Sequence, residues 1–255
     1  MVLHAASCLD TWLSHRLKPE ARDWLHAQVA AAKASDDKAL FLAFGAAGRQ
    51  VGHGPLALDA AEQAAAKRIH PGWMPERWQT DHAARALLAI SFADHDAHHW
   101  LTTLERLFAT ASAEELVALY QALPILPFPE LLRERAVEGL RSNMQSAFVA
   151  VALDNPFPAD QMDQDSFNQM VLKAFFLGLD VDRIQRLESR ANADLTRMLR
   201  DFARERRAAK RPIDARLWAV VGWCVDDESH ADLHHIAQHG APEEQHVVRQ
   251  VLARL

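Results

Sequence analysis

The sequence predicts an all-α protein, and three features of its 255 residues support this prediction. Alanine, leucine and arginine are the commonest residues, and all three are strong helix formers. Glycine occurs nine times and tyrosine once, so turn and strand formers are scarce. Apolar residues recur every three to four positions along most of the chain, which is the period of an amphipathic helix. We therefore predict an irregular stack of antiparallel helical hairpins, HEAT-like and in the style of an α-solenoid.

Local signals divide the chain into successive helices. Pro19 occupies the first position of the second helix, where its missing N–H costs nothing. Ser35 and Thr80 are predicted to cap later helices through their hydroxyl oxygens. Ser112 and Glu115 have the spacing of a capping box at the start of another helix. Only helix length and period recur, without a repeated motif, which favours an irregular stack over a regular array.

A proline-rich link at 124–129 is the best candidate for an internal boundary. Its three prolines make it rigid, and the alanine-rich part of the chain ends there. We expect an N-terminal helical half at 1–126 and a C-terminal helical half at 127–255, as parts of one continuous domain. Helices of about 12–16 residues joined by short links favour antiparallel neighbours.

Composition excludes several functional classes. The formal charge of −6 disfavours a general nucleic-acid surface, which requires a basic excess. Cys8 and Cys224 lie far apart in the sequence, so neither a disulfide framework nor a thiolate zinc site is expected. No glycine-rich phosphate loop is present. The N-terminus lacks the pattern of a secretory signal and no apolar run could cross a membrane, so we expect a cytoplasmic protein.

The segment 94–99, with sequence DHDAHH, is the sharpest metal-like cluster. His95 and His99 are four positions apart, a helical spacing at which two imidazoles can share one ion, and Asp96 could complete the shell. The alternative is a polar helix start, in which the acidic residues interact favourably with the helix dipole. His230 and His234 have the same spacing, but a solvated helix face accounts for them better.

The stretch 152–212 contains the densest run of polar residues at places where a purely structural helix would not need them. Asn155 precedes Pro156 in a turn and can form an Asx turn there. Asn168, Gln169 and Lys173 are interleaved with the apolar face of the next helix. A lysine within such a helix must reach solvent, pair with a carboxylate or face a cavity.

Four further polar residues follow in the same stretch. Arg190 and Asn192 lie at a helix junction, where Asn is a natural N-cap. Asp201 and Glu205 are candidate partners for Lys173. Two interpretations stay open: a structural polar network, or contact of Asn168, Lys173 and Arg190 with a ligand in a shared cavity.

Three blocks of this stretch resemble one known family: LDNPFP at 153–158, FNQMVLKAFF at 167–176 and RANADLTRMLRDFARERRAAKRP at 190–212. Over about 60 residues they resemble the EboA family of bacteria, cyanobacteria and algae. The resemblance implies a role in moving or processing a secondary-metabolite precursor, with proteins of the same operon as partners. It implies no catalytic residue, because no reaction is established for the family. Arg207 departs from the family pattern, in which an aromatic residue is expected.

Two functional hypotheses follow. In the first, a non-catalytic helical scaffold binds a small hydrophobic metabolite, or proteins of its pathway, on a concave face. In the second, a metal-dependent enzyme acts on a prenylated or aromatic metabolite, using the 94–99 cluster and a buried Lys173. A further hypothesis is that the basic run at 204–211 contacts an anionic membrane surface.

Overall fold

The computed structural model describes residues 1–34, 36–92 and 97–255, and these residues form an all-α fold. The chain is 75% helical and contains no strand among the described residues. The α-helices are α1 Val2–Arg16, α2 Pro19–Lys33, α3 Asp37–Val51, α4 Ala60–Ile69, α5 Thr80–Ser91, α6 Ala97–Thr110, α7 Ala113–Ala122, α8 Arg133–Arg141, α9 Gln145–Ala152, α10 Phe157–Gln161, α11 Gln164–Phe176, α12 Ala193–Ala208, α13 Arg216–Val221, α14 Asp227–His239 and α15 Pro242–Leu252. Short 3-10 segments lie at 75–77, 123–125, 129–132, 181–183 and 188–190. The predicted all-α class is confirmed, and the HEAT-like, α-solenoid style of the stack stays a prediction.

The chain divides into two compact units, Met1–Gln161 and Met162–Leu255. The proline-rich link at 124–129 lies inside the first unit. The compact units therefore do not coincide with the halves 1–126 and 127–255, whose division stays a prediction.

Helix α5 is the centre of the first unit. It packs against α1, α2, α3 and α7, and every residue from Ala83 to Ile90 is buried. A helix enclosed on so many sides is expected to be apolar all round. Two charged side chains break this rule, because Asp81 and Arg85 are also buried, at 0% and 4% exposure.

In the second unit, α12 packs against α11, α13 and α14, and α15 packs against α13 and α14. A buried polar contact joins α13 to α15, where Trp218 Nε1 donates a hydrogen bond of 2.8 Å to Glu244 Oε1. Arg207 Nη2 donates to the same oxygen at 2.8 Å. The residue that departs from the family pattern is therefore an ion-pair partner of a buried carboxylate.

The predicted capping box at the start of α7 is confirmed. The backbone N–H of Glu115 donates to Ser112 Oγ, and the backbone N–H of Ser112 donates to Glu115 Oε2. Asp59 and Glu62 form the same reciprocal arrangement at the start of α4. These pairs satisfy backbone donors that a helix start would otherwise leave without partners.

The predicted cap at Thr80 is wrong. Thr80 is the first helical residue of α5, and its hydroxyl donates a hydrogen bond of 2.8 Å to the carbonyl of Gly52 instead. This bond ties the loop after α3 to the start of α5. Ser35 lies outside the described residues, and Asp36 caps α3 through the backbone N–H of Ala39. No described helix is both long enough and apolar enough to cross a membrane.

Close packing of α8 on its neighbours depends on Gly139. A Cβ atom at this position would lie 2.7 Å from Tyr120 Cζ and 2.9 Å from Val151 Cγ2. We expect G139A to lower the free energy of unfolding by about 1–3 kcal/mol, since the tyrosine ring is rigid. G54A is the matched control, because nothing lies within 4 Å of its added methyl group. Urea unfolding followed by circular dichroism measures both, and equal effects would contradict this packing.

Tyr120 is the one tyrosine of the chain, so its ionisation can be followed directly. Burial, with a smaller effect of Glu138, raises the pKa of Tyr120 to about 12. We expect phenolate absorbance at 295 nm to titrate near that pH in the folded protein and near 10 in the unfolded chain. Since the folded state keeps the proton longer, its stability falls as the pH rises from about 10 to 12. A folded-state midpoint near 10 would contradict the burial.

Candidate functional site

The turn between α9 and α10 uses Asn155 as a structural residue. Its side-chain amide donates to the carbonyls of Tyr120 and Ala150, and its Oδ1 accepts from the backbone N–H of Phe157. Asn155 is 4% exposed, so all of these bonds are buried. This is the predicted Asx turn, and it lies in the first unit. Asn155 therefore holds the turn and is not placed to contact a ligand.

In the second unit, Asn168 and Asn192 exchange two hydrogen bonds between their side-chain amides. Asn168 Nδ2 donates to Asn192 Oδ1 at 3.1 Å, and Asn192 Nδ2 donates to Asn168 Oδ1 at 3.0 Å. Asn192 Oδ1 also accepts from the backbone N–H of Leu195 and so caps α12. Gln164 Nε2 donates to Asn168 Oδ1. We call these side chains, with Arg190, the amide network.

Arg190 completes the amide network from the last 3-10 segment. Its Nη1 and Nη2 atoms donate to the carbonyl of Met162, and its Nε donates to Gln164 Oε1. The guanidinium lies over the ring of Phe167, with Cζ 4.5 Å from the ring centroid. Burial lowers the pKa of Arg190, with Arg186 acting in the same direction. The predicted polar network is therefore present at 190–192.

The amide network joins α11 and α12 near their N-terminal ends, and a groove lies between their C-terminal halves. The link 177–192 returns the chain from the end of α11 to its beginning. Helix α11 contributes four residues at positions i, i+3, i+4 and i+7, and the same spacing recurs over 202–209, from α12 to the residue that follows it. The groove is lined by Gln169, Leu172, Lys173, Phe176, Phe202, Glu205, Arg206, Ala209 and Arg211.

The groove has a volume of about 320 Å³, within the usual range of small-ligand pockets. One wall carries Phe176, which is 64% exposed and is the most exposed large aromatic side chain among the described residues. The guanidinium of Arg206 lies 5.5 Å from the ring centroid of Phe202, and its Nε donates to the carbonyl of Pro212. Lys173, Arg206 and Arg211 contribute three positive charges against the one carboxylate of Glu205. An amphipathic molecule with an aromatic body and an anionic group matches this lining.

The residues predicted from the sequence are thus distributed over four places. Gln169, Lys173 and Glu205 line the groove together, whereas Asn168, Arg190 and Asn192 form the amide network. Asn155 lies in the other unit. Asp201 is exposed and lies 3.6 Å from Arg204 Nη1. Lys173 and Glu205 therefore line one groove, whereas the hydrogen bonds of Arg190 place it in the amide network.

Sequence reasoning missed the two aromatic side chains of the groove and did not place Arg206 and Arg211 in it. Phe202, Arg206 and Ala209, at the end of α12 and just after it, repeat the spacing that Gln169, Lys173 and Phe176 have in α11. That repeated spacing was the available signal, although only the tertiary fold shows that the two faces meet. Phe176 would have been assigned to the core on its residue type, yet it is exposed.

The metal prediction at the start of α6 is only partly within the described residues. His95 and Asp96 lie outside the described residues. His99 Nε2 lies 3.3 Å from Asp37 Oδ1, and its ring packs against Phe92. A metal shared by His95, Asp96 and His99 stays a prediction.

Much of the basic run at 204–211 is engaged within the second unit. Arg204 contacts Asp232 at 3.1 Å, and Arg207 contacts Glu244 at 2.8 Å. Arg206 and Arg211 line the groove. The run is therefore divided between ion pairs and the groove, and contact with a membrane surface stays a prediction.

The described residues form an all-helical protein with a groove that combines aromatic and charged side chains. The sequence profile of the family described as "Metabolite traffic protein EboA" matches residues 5–222, and the chain belongs to this family. The match therefore extends from the three blocks of resemblance at 153–212 back to residue 5. No curated protein and no solved structure matches the chain.

Asn168 and Gln169 are adjacent in the sequence, but Asn168 belongs to the amide network and Gln169 lines the groove. Asn168 is 1% exposed, and N168A removes its hydrogen bonds with Asn192 and Gln164 and leaves a cavity in place of the buried amide. We expect N168A to lower the free energy of unfolding by about 1–3 kcal/mol. Q169A, at an exposed position, is the matched control and should change stability by less than about 0.5 kcal/mol. Thermal unfolding tests this, and a larger effect of Q169A would contradict the assignment.

Proposed function

We propose that the protein is a non-catalytic carrier or scaffold that binds a small amphipathic metabolite in the groove between α11 and α12. The observation that carries the proposal is the lining itself. The aromatic side chains of Phe176 and Phe202 and the aliphatic side chain of Leu172 offer an apolar surface for a ring system. The three cations of the groove offer charge-assisted hydrogen bonds to a carboxylate, sulfate or phosphate.

Membership of a metabolite-traffic family supports this proposal. Traffic requires reversible binding, and an open groove with one aromatic wall exposed suits uptake and release better than an enclosed cavity. Proteins of the same pathway would then deliver or receive the metabolite, as the resemblance implies. A cytoplasmic location, with traffic towards the cell envelope, belongs to the same proposal.

The groove is preferred over two larger hollows of the first unit. These have volumes of about 490 and 480 Å³. The first is lined by one lysine and one aspartate among mainly small and aliphatic residues, and the second contains Arg68 and His4 but no large aromatic side chain. Neither hollow combines an exposed aromatic wall with several cations. Ligand pockets usually join an apolar surface to a few convergent polar groups, and the groove fits that description better.

Two dyes that share one ring system test the proposal. 8-Anilinonaphthalene-1-sulfonate carries an anionic group, and N-phenyl-1-naphthylamine is the same skeleton without it. We expect R211E to weaken binding of the sulfonate about five- to tenfold and to leave the neutral dye nearly unchanged, because one charge contact is worth about 1 kcal/mol. F176S should weaken both dyes about three- to tenfold. Fluorescence titration measures all four affinities.

Matched variants keep this test specific. R197E reverses a charge on an exposed face of α12 outside the groove, and L131S removes an exposed apolar side chain of the first unit. Both should leave the two affinities unchanged. Equal binding of both dyes to the wild-type protein, or insensitivity of the sulfonate to R211E and F176S, would refute the groove as an anionic-metabolite site.

A further inference from the structure

A second group of chemically active side chains lies in the first unit. His53 comes from the loop after α3, Asp81 from the first turn of α5 and Glu114 from the first turn of α7. One potential ligand atom of each side chain lies within 4.8 Å of the other two. One imidazole and two carboxylates are ligands that zinc accepts in proteins.

Asp81 is the observation that points to a ligand in this cluster. Its side chain is fully buried, at 0% exposure, and its Oδ2 accepts a hydrogen bond from Arg85 Nη1. Its Oδ1 has no hydrogen-bond partner among the described residues. A buried carboxylate oxygen without a partner is costly and rare, so it requires an explanation. A cation bound at Oδ1 would supply the missing interaction, while Arg85 keeps the other oxygen.

Hydrogen bonds to the residues before and after His53 hold it beside Asp81. Thr80 Oγ1 donates to the carbonyl of Gly52, and the backbone N–H of Thr80 donates to the carbonyl of Gly54, each at 2.8 Å. His53 Nδ1 consequently lies 3.2 Å from Asp81 Oδ2. This contact places the imidazole beside the carboxylate of Asp81, whose other oxygen, Oδ1, is the one without a partner.

The N-terminal ends of α5 and α7 favour the deprotonated carboxylates that metal binding requires. Asp81 and Glu114 are each the second residue of their helices, where the positive end of the helix dipole stabilises a carboxylate. On the third side, the ring of His53 lies against α3, and a Cβ atom at Gly48 would lie 2.5 Å from His53 Cε1. The glycine leaves room for the imidazole at this position. Three separate elements thus converge on one point.

We propose that His53, Asp81 and Glu114 form a binding site for a divalent cation of the zinc class. Three protein ligands leave a fourth coordination position, and it faces solvent because His53 and Glu114 are both exposed. Zinc sites with three protein ligands and an open position can bind water or a substrate atom. The site is independent of the groove between α11 and α12, and it contains none of the residues of the 94–99 cluster.

Zinc titration of the untagged full chain, after removal of metals with chelator, tests the site. We expect one tightly bound zinc ion by calorimetry, with an increase in Tm and tighter binding of zinc than of manganese. H53Q and E114Q should each weaken this binding at least about tenfold. Both side chains are exposed, so the variants should fold, which circular dichroism checks. G48A should also weaken zinc binding, because the added methyl group displaces the ring of His53 without removing a ligand.

H234Q is the matched control, because it removes an exposed histidine pair of α14 whose ring centroids lie 4.6 Å apart. It should leave the tight site and the zinc-dependent increase in Tm unchanged. Loss of the tight site in H234Q, or its persistence in both H53Q and E114Q, would overturn the proposal. Absence of tight binding to the wild-type protein would also overturn the proposal and leave the contact between His53 and Asp81 as a structural one.

Discussion

The reciprocal hydrogen bonds between Asn168 and Asn192 are the interaction on which the second unit depends. Asn192 has two functions at once, because it caps α12 and pairs with a side chain of α11. The same amide therefore determines where α12 begins and where it lies against α11. The groove lies further along both helices, so its shape follows from this contact. A buried amide pair suits such a position because both partners donate and accept, which fixes one relative orientation of the helices.

The charge of the groove has two opposing sources. Lys173, Arg206 and Arg211 outweigh Glu205 and leave a net charge of +2. The C-terminal ends of α11 and α12 lie beside the same space, and each contributes about −0.5 of an elementary charge. Part of the cationic charge therefore offsets the helix dipoles, and a charge of about +1 remains for a ligand. On a chain whose formal charge is −6, this is a local reversal of sign that favours one anionic group.

The fold class followed from the sequence because helical period and composition are local properties, and the buried faces of α1, α3 and α11 follow that period. Spacing also placed Gln169 and Lys173 on one side of α11. It could not show that this side meets Phe202 and Arg206, since that depends on the link 177–192 returning the chain to the start of α11. The His53 cluster left no signal at all, because its residues come from three elements that are distant in sequence.

The two units show how buried polar groups separate structural from functional positions. Asn168 is buried, yet both of its amide atoms have partners, so the amide network is complete without a ligand. Asp81 is equally buried but keeps one oxygen without a partner, and its helix packs against four others. Leaving a buried acceptor unpaired costs more than a complete hydrogen bond contributes. The same burial therefore predicts a purely structural function for Asn168 and an unmet binding requirement at Asp81.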